Sequence, residues 1–200
     1  MKKGFTIVEL VVVFLIISCV TFFAVPAIID NTKQAKLIVE WDQKFSDFSY
    51  LISAVRARSE ITNTVYSKEA FFEHLKEQMR VVSSIDKKYT VKYKNNKSIL
   101  ETSKYYIKDY YEGEDGKFVG FKWVNKNCQN TELCAILQVD VNGLEPPNKL
   151  GIDVFGVDIS KKDITPYGKG QSNELLKSDC SSKGTGAYCS YYYLIGGNFD

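Results

Sequence analysis

Residues 139–159 read VDVNGLEPPNKLGIDVFGVDI, and four side chains in this stretch carry oxygen donors: Asp140, Asn142, Asn148 and Asp153. Gly143 and Gly151 permit tight turns there. Hard oxygens on a turn-rich loop suit Ca2+, which also accepts backbone carbonyls as ligands. The opening D-x-N-G partly matches an EF-hand loop, but the later ligands and the terminal glutamate are missing at that spacing, so the segment is not an EF-hand. A competing reading is an Asx-rich turn whose side chains bond their own backbone. Calcium is the one cofactor the sequence suggests, and both readings stay open.

Cysteine is the second reactive residue type. Cys19 lies in an apolar run and reads as a small hydrophobe. The other four form two close pairs, Cys128/Cys134 and Cys180/Cys189. Four cysteines allow three connectivities, and the nearest-neighbour pairing is the expectation. Zinc competes, but C-x5-C and C-x8-C do not match the usual C-x2-C ligand pairs. Export to an oxidising compartment favours disulfides.

Nothing else in the chain assembles a catalytic set. The single histidine, His74, leaves no room for most Ser–His or Cys–His arrangements. No G-x-x-x-x-G-K-[ST] loop is present, and Gly113–Lys117 reads as a turn. No pair of carboxylates stands out, so the expectation is a non-enzyme. A formal charge of +2 gives no electrostatic case for a nucleic-acid partner.

The elements that carry these residues follow from patterning. Residues 5–29, FTIVELVVVFLIISCVTFFAVPAII, contain one charged side chain, Glu9. At the helical rise the run covers roughly 37 Å, against a hydrocarbon core of about 30 Å. Lys2 and Lys3 precede it, which keeps the short N-terminus cytoplasmic. A secretory signal would use Val25-Pro26-Ala27 as its cleavage site, yet the run is longer than such a signal needs. A plain single-pass anchor leaves Glu9 unexplained, because a carboxylate in hydrocarbon is expensive.

A third reading uses every unusual residue. Lys2-Lys3-Gly4-Phe5-Thr6-Ile7-Val8-Glu9-Leu10 resembles the prepilin processing motif of type IV pilins and type II secretion pseudopilins. The resemblance covers about the first 30 residues. It implies cleavage between Gly4 and Phe5 by a membrane peptidase, with methylation of the new N-terminus. The family's glutamate falls on Glu9 and its helix-kinking proline on Pro26. A buried ammonium at Phe5 and a buried carboxylate at Glu9 are each costly alone, and each neutralises the other. Between neighbouring subunits that pairing would set filament register.

The resemblance also implies partners and place. The partners are the prepilin peptidase, copies of the chain or sister pilins and pseudopilins, an inner-membrane assembly platform and membrane lipid, with no nucleic acid required. The chain would be a single-pass protein of the bacterial cytoplasmic membrane, its C-terminal domain outside the cytoplasm, later joining a pilus or pseudopilus. The pattern D-x-N-G…P-N…G-x-D-x-F looks like a C-terminal segment of such proteins. Major pseudopilins hold calcium near the end of their sheet, at a ligand spacing different from this one. The segment tilts the reading toward the secretion type. The rival reading is a membrane-anchored binding or adhesion domain that forms no filament.

Beyond the N-terminus, Ile38, Trp41, Phe45, Phe48, Ile52 and Val55 recur at helical spacing as one stripe, and Pro26 should kink the helix that carries them. A short helix is expected over 68–80. Tyr89, Val91 and Tyr93 alternate as a strand would. Further strands are expected at 104–111, 117–124, 134–141, 152–159 and 190–195, with a hairpin turn at Gly113–Gly116. The fold class is then α+β: a long N-terminal helix, one half membrane-spanning and one half amphipathic, packed on an antiparallel sheet in a pilin-like manner. The domains are a leader at 1–4, the apolar helix at 5–29 and a globular domain at 30–200.

Overall fold

The computed structural model describes residues 6–57, 73, 75–77, 79–85, 89–125, 133–160 and 163–199, without the side chains of 23–28, 30 and 55–57. The chain divides into two compact units, Met1–Lys36 and Leu37–Asp200. Helix α1 spans Ile7–Ala57. Six strands follow: β1 (Val81–Ser84), β2 (Tyr110–Gly113), β3 (Phe118–Trp123), β4 (Leu133–Asp140), β5 (Val154–Ser160) and β6 (Ile164–Pro166). Two short helices, α2 (Asn173–Cys180) and α3 (Cys189–Leu194), close the chain.

The six strands form one antiparallel sheet in the order β1-β2-β3-β4-β5-β6. β4 is buried over nearly its whole length, with only Leu133 part-exposed. That burial needs cover on both faces. On one face Ala135, Leu137 and Val139 join Phe155, Val157, Ile159 and Val119 in a core with Trp41, Phe48 and Ile52 of α1. The predicted stripe thus meets the sheet from Leu37 onward. Lys117–Glu40 at 2.7 Å and Lys44–Asp115 at 2.6 Å fasten the same helix to the β2–β3 hairpin.

The other face is covered by tyrosines. Tyr110 and Tyr167 pack with Ile107, Phe118 and Ile136, supported by Tyr89 and Tyr105. Two glycines make this work. A Cβ on Gly120 would stand 2.6 Å from the Tyr110 ring, and one on Gly156 would stand 2.2 Å from the Tyr167 ring. Tyr167 is fully buried, so its ring has nowhere to retreat. Gly156→Ala is expected to destabilise the domain by about 1–3 kcal/mol through overpacking. A urea titration reads this directly, and an unchanged midpoint would show that the ring can shift aside.

The expected fold class is corrected. Among the described residues no helix is long and apolar enough to cross a membrane. The side chains described in the apolar run are those of residues 6–22 and 29. Those residues are exposed rather than packed. The described residues form a six-stranded antiparallel sheet with helices.

Three local expectations also change. Residues 190–195 were expected as a strand because three consecutive tyrosines favour a pleated surface, yet 190–194 lie in α3 and Ile195 caps it. Its buried residues, Cys189, Ser190 and Tyr193, share one helical face, and the bond at Cys189 holds the segment against α2. Tyr89–Tyr93 forms no strand; Lys92 makes only isolated bridges to Ser98 and Lys149. The strand expected from 104 starts at Tyr110, because Tyr105 and Ile107 are spent covering the outer face. Of the helix expected over 68–80, residues 73 and 75–77 are helical and Leu75 is buried. The rest of that segment up to Gln78, His74 included, lies outside the described residues.

Candidate functional site

Helix α1 starts with a reciprocal cap. Thr6 N donates to Glu9 Oε2 at 2.8 Å, Thr6 Oγ1 donates to the same oxygen at 2.8 Å, and Glu9 N donates to Thr6 Oγ1 at 3.3 Å. A threonine followed three residues later by glutamate is a capping box, which satisfies two donors a helix start would leave open. This signal stands in the sequence as T-x-x-E, and reading Glu9 only as a charge partner passed over it. Gly4 and Phe5 lie outside the described residues. Pro26 falls within α1, and its side chain lies outside them.

The polar side chains further along the run are satisfied within the helix. Ser18 Oγ donates to Phe14 O at 2.8 Å and Thr21 Oγ1 to Ile17 O at 2.7 Å. Bonding back to the preceding turn satisfies a hydroxyl within its own helix, and Ser49 and Ser53 do the same further along α1. Around Ser18 and Thr21 the side chains of Leu10, Val11, Phe14, Leu15, Ile17 and Val20 each leave about half their surface or more open. Cys19 is a free, exposed thiol in the same stretch.

The four oxygen-bearing residues of 140–153 do come together. β4 ends at Asp140 and β5 begins at Val154, so antiparallel pairing places Asp140 beside the turn that carries Asp153. Both are fully buried. Asp140 Oδ1 accepts from Asn142 N at 3.1 Å, and its Oδ2 accepts from the Tyr89 hydroxyl. Asp153 Oδ1 accepts from Lys149 N at 2.6 Å and Oδ2 from Asn148 N at 2.8 Å. The Asn148 amide, its nitrogen turned inward, donates to Asp140 Oδ2 at 3.2 Å and to Glu145 O at 3.0 Å. Asn142 Oδ1 is buried and finds no partner among the described residues. Tyr89 is the member that sequence reasoning missed; it read as a strand residue, and nothing local marks it as a donor.

Calcium takes roughly six to eight oxygens. Here every carboxylate oxygen already accepts an N–H or O–H, and Asn148 presents nitrogen. One open amide oxygen does not complete a cage. In this arrangement the residues do not fit a calcium ion, and the Asx-turn reading describes them. Among the described residues no group of three or more His, Cys, Asp or Glu is placed to hold a metal.

Burial and the neighbouring Asp153 push the Asp140 carboxyl up to about 8. Burial likewise raises Asp153, against the opposing bonds from Lys149 and Asn148. A carboxyl raised in the folded state binds its proton more tightly there than in the unfolded chain. Its contribution is complete below the unfolded value near 4 and is lost as pH rises through about 8. The melting temperature should therefore fall between pH 5 and pH 8, and Asp140→Asn should flatten that slope. A wild-type slope that the variant leaves untouched would assign the dependence elsewhere.

The cysteines follow in part. Cys180 and Cys189 form a disulfide. Cys134 is also disulfide-bonded, and Cys128 lies outside the described residues. No family model, no curated protein and no solved structure matches the chain.

Proposed function

We propose that the chain is a filament subunit, matured by cleavage between Gly4 and Phe5 and assembled through its apolar N-terminal helix segment. The observation that carries this reading is the surface of Ile7–Phe22. Large apolar side chains lie open along it while Glu9, Ser18 and Thr21 bond inward. Such a surface calls for an apolar cover. The residues around Gly4 supply the processing signal that makes the cover a second copy of the same helix or a sister subunit. The prepilin peptidase and an assembly platform are the further partners this reading requires. A disulfide at Cys180–Cys189 supports placing the sheet domain outside the cytoplasm. Whether the filament serves protein secretion, as the 140–155 pattern suggests, belongs to the same proposal.

The deciding experiment is the intact, non-reduced mass of the protein extracted from its native membrane. Loss of residues 1–4 with gain of one methyl group is the expected result. A full-length mass would sink the reading and leave an anchored binding domain. A mass starting near Ile28 would mean conventional secretion. Cys19 offers a second check, since helices packed side by side in a filament should cross-link through that thiol under mild oxidation.

A further inference from the structure

The buried C-terminal disulfide touches the β4–β5 turn directly. A Cβ on Gly151 would stand 2.5 Å from Gly186 O and 2.6 Å from Cys189 Sγ. Gly151 has φ +74°, so this close approach needs glycine twice over, for its conformation and for its missing side chain. A hydrogen-bonded chain runs in parallel. Lys94 Nζ donates to Cys180 O and, at 3.5 Å, to the Tyr193 hydroxyl, which donates to Gly151 O at 3.1 Å. The backbone repeats the link: Lys94 N donates to Thr185 O at 2.9 Å, Lys92 N to Asn148 O at 3.0 Å and Leu150 N to Lys92 O at 2.9 Å. Residues 92–94 thereby bind the disulfide loop and the turn to one another.

Cys180 and Cys189 are 2% and 0% exposed, so the bond lies inside this packing. Bonded sulfurs sit about 2 Å apart, whereas unbonded heavy atoms need roughly 3.5–4 Å. Reduction would push the sulfurs apart inside packing that holds Cys189 Sγ against Gly151. The central strands have their own pairing from Ala135–Ile159 to Asp140–Val154, which does not depend on the loop.

We propose that the Cys180–Cys189 disulfide is the clamp of the β4–β5 turn: closed, it fixes Leu150–Asp153 and with them the carboxylate pair; opened, it frees the turn while β4 and β5 stay paired. Opening takes a dithiol reductant. The S–S bond breaks, each sulfur gains one electron and one proton, and the dithiol leaves as its own disulfide. This inference is independent of filament assembly.

The test is hydrogen exchange on the full chain, comparing wild type with Cys180→Ser/Cys189→Ser, a change that spares the bond at Cys134. Amides of 149–154 should lose at least about tenfold protection, equivalent to the 1.4 kcal/mol that a factor of ten represents, while those of 135–139 keep theirs. Tyr193→Phe retains the ring and the disulfide but drops the bond to Gly151 O, and it should lose part of the same protection. If the double variant does not fold, wild type with and without a dithiol reductant is compared at the same amides. Unchanged protection at 149–154 overturns the proposal, as does an equal loss in strand and turn.

Discussion

Trp41→Ala should cost about 3–5 kcal/mol, the range for removing a large buried aromatic side chain. The indole is fully buried and stacks on Phe155 with ring centroids 5.2 Å apart and planes 20° from parallel. Its Nε1 donates to Ser190 O at 2.8 Å, and Ser190 Oγ in turn accepts from Gly156 N at 2.9 Å. One side chain therefore joins α1, β5 and α3. Domains of this size hold about 5–15 kcal/mol in all, so the variant should sit near the edge of folding at 37 °C. Trp41→Phe separates the two contributions. It keeps most of the stack and leaves the Ser190 carbonyl without its donor, worth about 1–3 kcal/mol. Denaturant midpoints order the three proteins as wild type, Phe, Ala. A Phe variant as unstable as the Ala variant would put the indole hydrogen bond, and not the packing, at the centre.

The second large effect is on assembly. Glu9→Leu should abolish filaments while the sheet domain melts as before. The capping box sharpens this expectation, because Glu9 now has two candidate jobs. Glutamine serves the N3 position of a capping box as glutamate does, but it cannot neutralise an ammonium. Glu9→Gln therefore keeps the start of α1 and removes the charge. If filaments vanish in both variants, the carboxylate acts as the partner of the Phe5 ammonium. If Glu9→Gln assembles at wild-type yield, Glu9 is only a cap and the charge-pairing idea fails. Electron microscopy of sheared filaments, with circular dichroism of the purified chain as the folding control, gives both answers.

What the sequence made legible was whatever rests on short-range pattern. The stripe from Ile38 to Ile52 falls on the buried side of α1 because a 3–4 spacing admits one face. The hairpin at Gly113–Gly116, the strands near 118, 133 and 154 and the pairing of Cys180 with Cys189 were readable for similar local reasons. The misses lie where a distant partner decides. Tyr191-Tyr192-Tyr193 has the composition of a strand, and only the bond at Cys189 and the burial of Tyr193 turn it into a helix. Tyr105 and Ile107 look like strand residues, yet Gly120 and Gly156 draw the tyrosines onto the sheet as a cover. At the candidate turn, Asp140 and Asp153 were found by type and spacing. That their oxygens would be filled by Tyr89 and by backbone N–H groups could not be read from the turn alone.

The order of the sheet has a consequence for how the chain acquires its shape. Each strand pairs with the one just before it in sequence, so no pairing skips over another strand. Low sequence separation between partners favours rapid formation, and a chain delivered N-terminus first can extend the sheet one hairpin at a time. The contact of Trp41 with Ser190 spans 149 residues. Until α3 arrives, the indole and the stripe around it lack their final cover. Between the first hairpin and the last helix that apolar face stays open, and open apolar surface on a partly folded chain is prone to aggregation.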